Sequence, residues 1–273
     1  VASANSILVG SVGIGGTDAG NYSLSWSNGT ASITRAALTV TANADAKFYS
    51  ESDGVNYAGV RYTGFVAGQT SAVLTGSAAV TRDRSVQLLA DASSVDTQDA
   101  AGSYAGVLVP SGLSSNNYNI TYVNGNFTIV PVGQLLVKVA NTSATYGSAP
   151  VYSLTSAGYM SDTGNQNYVV TDLLGLGYAT LNGSQVTVTD GSATVARFNL
   201  GADNPSTSTS GTLKVGSYSV GSTLVSRSST NFNDTITVVG SYEVTPKSVT
   251  VSATNVSKVY DGNTAMVNPT FAP

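Results

Sequence analysis

The sequence predicts an all-β protein made of tandem small antiparallel β-sandwich repeats, Ig-like or β-grasp-like, arranged as an elongated rod. Three observations lead there. Apolar and polar residues alternate over short runs bounded by Gly, Asn, Asp and Ser, as half-buried strands require. Helix formers are scarce: of 273 residues only Glu51 and Glu243 are glutamates and five are lysines, while Val, Thr and 15 tyrosines abound. Blocks of similar sequence also recur in a fixed order, the mark of a repeat architecture.

In the first complete copy the alternation predicts strands near 38–42, 58–63, 73–80, 84–90, 103–109, 117–123 and 126–130, with a single helical turn at Gln69–Val73. In the second it predicts them near 135–139, 150–155, 168–173, 177–181, 185–189, 193–199, 211–214, 217–221, 234–239 and 241–245. An insertion around 160–215 accounts for the excess in the second copy.

The block Asn21-Tyr-Ser-Leu-Ser-Trp-Ser-Asn-Gly-Thr-Ala-Ser-Ile33 aligns without a gap to Asn117-Tyr-Asn-Ile-Thr-Tyr-Val-Asn-Gly-Asn-Phe-Thr-Ile129, and a shorter copy occupies 235–244. Alternation on either side of Asn28-Gly29 and Asn124-Gly125 predicts β-hairpins closed by type I′ turns, which those residues favour. A second block follows each copy: Leu38 to Tyr49, Leu135 to Tyr146 and Val249 to Tyr260, with the tyrosines 97 and 114 residues apart. Gly102-Ser-Tyr104 recurs as Gly216-Ser-Tyr218. These landmarks divide the chain into a tail (1–36), two complete repeats (37–131 and 132–247) and the opening of another (248–273). The junctions between repeats are too short for flexible linkers and carry Pro131 and Pro246, so neighbours are expected to meet at restricted angles.

Composition excludes much chemistry. With neither Cys nor His, the chain holds no Cys/His zinc site, no His-based nucleophile system and no disulfide. Eleven scattered cations and a net charge of −4 argue against nucleic acid as a partner. No apolar run approaches the roughly 18 residues of a membrane span, so no membrane insertion is expected. The chain starts at Val1 without an initiator Met or a signal peptide and reads as a piece of something longer. A hydrophobic content of 41% in regular alternation argues against disorder.

The quoted blocks resemble the MBG (mostly-β, glycine-rich) and YDG repeats of very large secreted bacterial adhesins, including filamentous-haemagglutinin-like exoproteins of two-partner secretion. Tyr260-Asp261-Gly262 is similar to the opening of a YDG repeat, and Asp18-Ala-Gly-Asn-Tyr22 to the end of one. Tyr146-Gly147-Ser148, the run from Tyr62 to Gly76 and the run from Pro110 to Tyr118 resemble the YGX variant of the MBG repeat. Tyr49-Ser50-Glu51 departs from that variant by lacking its Gly, and the insertion at 160–215 exceeds the usual length. The resemblance implies a stalk or extender of a secreted, surface-located adhesin that supports adhesion or biofilm formation. Neighbouring repeats would be its partners, and a glycan or exopolysaccharide would be reached through the parent adhesin.

No residue is assigned a catalytic, cofactor-binding or metal role, and the chain is not read as an enzyme. Asp83, Asp91, Asp96 and Asp99 offer oxygens to calcium but lack the Asp-x-Asp-x-Asp-Gly spacing, which favours a solvated loop. Gly15-Gly-Thr-Asp18 occurs once and reads as a turn. The two glutamates sit in different repeats, against paired-carboxylate catalysis. Trp26, Tyr57, Tyr62, Tyr104, Tyr118 and Tyr122 could stack on sugar rings, the basis of an alternative carbohydrate-binding reading, although their recurrence favours packing roles. Lys47 and Lys258 occupy matching positions, where an internal Lys–Asn isopeptide competes with a surface cation on an edge strand. Eight Asn-x-Ser/Thr sequons are expected largely by chance in such a composition. The incomplete repeats at the two ends are complementary, which admits head-to-tail self-association by strand donation.

Overall fold

The computed structural model describes residues 7–10, 12–66, 68–85, 97, 99–253, 259 and 271–272. Strands account for 49% of the chain and helix for 3%, so the all-β class stands. One group of strands comprises β1 (Ala36–Ala42), β2 (Asp45–Phe48), β3 (Val60–Thr63), β4 (Thr75–Arg82), β5 (Gly102–Ser114), β6 (Tyr118–Val123) and β7 (Gly125–Val130). They form two small sheets, ordered β3-β1-β6 and β2-β7-β5-β4. The expected helical turn is a 3-10 turn at Ser71–Val73, capped by Thr70. The expected strand at 84–90 falls mostly outside the described residues.

A second group has the same plan. It consists of β8 (Leu135–Val139), β9 (Thr142–Thr145), β10 (Leu154–Asp162), β11 (Tyr168–Asp172), β12 (Ala179–Asn182), β13 (Gln185–Thr189), β14 (Thr194–Ala202), β15 (Gly216–Arg227), β16 (Ile236–Val239) and β17 (Ser241–Thr245). Its sheets run β11-β10-β8-β16 and β12-β13-β14-β15-β17-β9. Relative to the first group, β11, β12 and β13 are additions at the outer sheet edges, which is how the long insertion is accommodated. The expected strand near 211–214 is reduced to an isolated bridge between Thr207 and Leu213. A short pair, β18 (Ser252–Ala253) and β19 (Phe271–Ala272), completes the described strands.

Three expectations are corrected. The sheets are mixed: β1 lies parallel to β6 and β2 parallel to β7, just as β8 lies parallel to β16 and β9 to β17. Alternation marks a strand but is silent on the direction of its neighbour, and a parallel partner can lie a whole unit away in sequence. The sheets are also gathered into a propeller-like arrangement, not an elongated rod of sandwich repeats. The physical reason is that the two groups do not meet only through a linker; they share an apolar core.

The type I′ hairpins are the third correction. β6 and β7 do not pair with each other; they are consecutive lengths of one chain run that leaves the first sheet and enters the second at Asn124. β1 and β2 make the same transfer alongside, at Asn43. Neither Asn124 nor Gly125 has a positive φ. Gly125 is needed for a different reason: a Cβ there would lie 2.6 Å from the Ala42 carbonyl oxygen and 2.9 Å from that of Asn43. Gly240 holds the matching place between β16 and β17, where a Cβ would meet the Val139 oxygen at 2.8 Å. The Asn28-Gly29 copy forms no hairpin either, since Gly29 exchanges backbone hydrogen bonds with Ile7 at 2.9 and 3.0 Å.

Burial follows from this plan. Leu38, Val40 and Ala42 alternate inward from β1 while Thr39 and Thr41 do not. On β8, by contrast, Leu135, Leu136 and Val137 are all buried, because both faces of this strand are covered. Leu135 and Val137 belong to the large core of the second group, whereas Leu136 points into a separate cluster.

The Gly-Ser-Tyr landmark also has a physical basis. The Tyr104 hydroxyl donates to the Ala100 carbonyl at 2.7 Å, and the Tyr218 hydroxyl donates to that of Lys214 at 2.8 Å. Each ring thus ties the start of its long strand, β5 or β15, to the turn before it.

Candidate functional site

Three features lie where the two groups meet or just behind that boundary. The first is the shared core. Ala46 and Phe48 of β2 and Val130 of β7 pack with Leu136 of β8, Met160 of β10 and Val239 of β16. Tyr49 and Tyr168 close its edge in a T-shaped contact at 5.3 Å. Fully burying each large apolar side chain contributes about 1.5–3 kcal/mol, so this cluster resists separation of the groups.

Polar bonds fix the relative orientation. The side-chain amides of Asn43 and Asn141, which lie just after β1 and β8, both donate to the Ala58 carbonyl at 3.0 Å. Asn141 Oδ1 in turn accepts from the Ser241 amide at 3.1 Å and the Ser241 hydroxyl at 2.8 Å. Lys138 reaches across to Asp45 at 2.8 Å. The connecting segment itself is pinned, because Gly133 donates its amide to Met160 and accepts from that of Asn233.

The second feature is a groove of about 870 Å³ beside this junction. One wall carries Arg61, Tyr62, Phe65 and Gln69; Asn141 and Glu243 belong to the other. Tyr62 and Phe65 are tilted neighbours at 5.5 Å, and Phe65 rests edge-on against buried Tyr118. Tyr118 braces the loop behind them, since its hydroxyl donates to Gln69 and accepts from the Val66 amide at 3.0 Å. Burial lowers the pKa of Arg61, and the charge of Glu243 opposes that shift. Burial and then the neighbouring Tyr122 hold the Tyr62 hydroxyl above its ordinary pKa.

The third feature is a buried ion network inside the first group. Asp53 pairs with Lys47 and Arg82, both at 2.8 Å, and accepts from the Tyr57 hydroxyl at 3.0 Å. Asp99 binds Arg82 and Arg84. Arg82 also lies over the Phe127 ring, 4.9 Å from its centroid. Burial pushes the Asp99 carboxyl up, but the bonds from Arg84 and Arg82 together outweigh it and hold it below the usual carboxylate range. Burial, followed by the charge of Asp53, pushes the Tyr57 hydroxyl up, so it stays protonated and donates.

These features sort the residues singled out in sequence. Lys47 is buried on Asp53, not a surface cation. Asp99 is committed to two guanidinium groups, while Asp83 is exposed and caps the Ser85 amide at 2.9 Å. Asp91, Asp96, Lys258, Tyr260, Asp261 and Gly262 lie outside the described residues. Among the described residues no three His, Cys, Asp or Glu side chains gather as a metal site.

The aromatic set is dispersed. Tyr57 packs edge-on against Phe127, Tyr122 is tied to the Leu113 backbone, and Trp26 stands exposed on the tail. Only Tyr62 of that set lines the groove. Sequence reasoning missed Phe65, Arg61, Gln69 and both asparagines. Only the two asparagines carried a signal, each lying just after the opening strand of its unit, β1 or β8.

Compared with known families, residues 38–128 match the MBG domain, YGX type. The matched stretch spans the first group of strands, from β1 to β7. No curated protein and no solved structure gives a significant match to the chain.

Proposed function

We propose, from the premise that residues 38–128 are an MBG domain of the YGX type, that the chain is a load-bearing spacer in a secreted bacterial surface adhesin. In this reading 37–131 and 132–247 are its complete units, 1–36 is the tail of a preceding YDG-like repeat, and 248–273 opens a following one. The segment contributes reach and stiffness to adhesion or biofilm formation, and performs no catalysis.

One observation carries the proposal: in both units the first and last strands are adjacent and parallel. A pull on the two ends of a unit then drags β1–β2 and β6–β7 past each other along their length. Every hydrogen bond of the ladder is loaded together, in shear. Antiparallel end strands would instead be peeled open one bond at a time. The shared junction core supports the same role, because a stiff spacer needs neighbours that do not swivel.

Single-molecule pulling of the full chain between its ends tests this. Two force peaks well above those of strand peeling are expected. Gly125→Ala should lower one peak and Gly240→Ala the other. Two units that give way without resistance, or peaks indifferent to both substitutions, would overturn the proposal.

A further inference from the structure

We infer that the groove at the junction is a binding site for a short, uncharged oligosaccharide. Its walls come from both units, so it exists only while the junction is closed. Its size falls within the range of small-molecule sites, about 300–1,000 Å³. Tyr62 and Phe65 are only half-buried and offer neighbouring ring faces. Such rings suit the C–H face of a sugar, and the Tyr hydroxyl adds a polar tip.

Around these rings stand planar, multivalent hydrogen-bonding groups. Arg61 supplies donors, Glu243 acceptors and Gln69 both, which is the inventory needed to grip vicinal hydroxyls. Arg61 and Glu243 are of opposite sign and feel one another across the gap, so the groove presents no net charge of its own. An anionic ligand would need more cations and a cationic one more carboxylates. A neutral polyol matches both the balance and the mixed aromatic and polar lining. The groove is also braced from behind: the bonds of Tyr118 to Gln69 and Val66, and those of Asn43 and Asn141 to Ala58, hold its walls before any ligand arrives. That lowers the ordering cost of binding.

The test is a titration of the full chain against neutral oligosaccharides, acidic oligosaccharides and a peptide library, with calorimetry on the hits. Binding of a neutral oligosaccharide that Tyr62→Ala weakens at least tenfold, at unchanged melting temperature, supports the inference. Ser143→Lys is the second variant. It projects a long cation into the groove from the exposed face of β9, so it should block the same ligand even if Tyr62→Ala proves unstable. Binding only of acidic sugars or of peptide, no binding at all, or neutral-sugar binding indifferent to both variants would overturn it. None of these outcomes depends on the mechanical proposal, which pulling experiments address separately.

Discussion

Replacing Gly125 by Ala tests the topology directly. The new Cβ would sit 2.6 Å from the Ala42 carbonyl oxygen and 2.9 Å from that of Asn43. Both atoms are backbone on the parallel partner run, so no side-chain rotation relieves the overlap. The two runs must move apart where they transfer between sheets, next to Phe127 and Ala42 of the first core. Overpacking of this kind costs about 1–3 kcal/mol. Gly201→Ala on β14 is the control: a Cβ there meets nothing within 4 Å, and its φ is not positive. That change should be neutral or stabilise by up to about 1 kcal/mol through the unfolded chain. Urea unfolding of both variants gives the comparison. A Gly125→Ala protein as stable as Gly201→Ala would refute the close crossing and return Asn124-Gly125 to the status of an ordinary turn.

Asp99→Asn should destabilise the chain by about 3 kcal/mol, because it strips the buried Arg82 guanidinium of a counter-charge; chemical denaturation measures this. The same carboxyl sets an acid limit. Its folded pKa is depressed, so its contribution is complete above the unfolded value of about 3.9 and is lost as pH falls through the lower folded value. Unfolding curves at decreasing pH should therefore show a steeper acid loss in the parent than in Asp99→Asn. Asn141→Ala should cost about 1–2 kcal/mol, since it removes a bond to Ala58 and leaves the buried Ser241 amide without its acceptor. The absence of native Cys makes Val55→Cys with Val151→Cys a clean labelling pair, one on each unit and 92% and 81% exposed. A narrow spin-label distance distribution is expected, and Met160→Ala should broaden it by emptying the shared core.

Much of the fold was legible where burial is one-sided. β1, β6 and β13 show clean alternation and lie where alternation puts them. β2 and β9 were invisible. Asp45-Ala-Lys-Phe48 carries two charges inside a fully buried strand, and Thr142-Ser-Ala-Thr145 has no apolar alternation at all. Both exist because a parallel partner, β7 or β17, supplies the ladder. Lys47 is tolerated inside because Asp53, six residues on, returns to meet it. No periodicity encodes that return.

The Asn-Gly pairs misled for a related reason. Glycine can be required by a positive φ or by the close approach of another backbone, and the local sequence looks the same in either case. Only the partner strand, remote in sequence, decides between them. The consecutive apolar residues Leu135-Leu-Val137 did carry a readable signal of the shared junction core, since a strand covered on one face has no use for an apolar Leu136. The groove was the least legible feature. It is assembled from β3 and loop residues 64–66 and 68–71 of one unit, and from residues 141–143 and 241–243 of the other, which no single motif joins.

The paired blocks 21–33 and 117–129 show what closes a unit. They share the same pattern, yet Tyr118 is 2% exposed and Tyr22 is 68% exposed. Ile129 is fully buried while Ile33, its counterpart, is not. The difference is the neighbour. Tyr118 has Ala36 beside it on β1, a strand roughly a whole unit earlier in the chain, whereas among the described residues no strand pairs alongside Tyr22. The block is therefore not a self-sufficient hairpin that buries its own face. Its apolar residues gain their environment only when the opening strands of the same unit lie parallel to it. The contacts that make a unit fold are thus the contacts that a pull along the chain must shear. Stability and load resistance reside in one ladder, so a substitution that weakens this ladder should lower unfolding free energy and rupture force together.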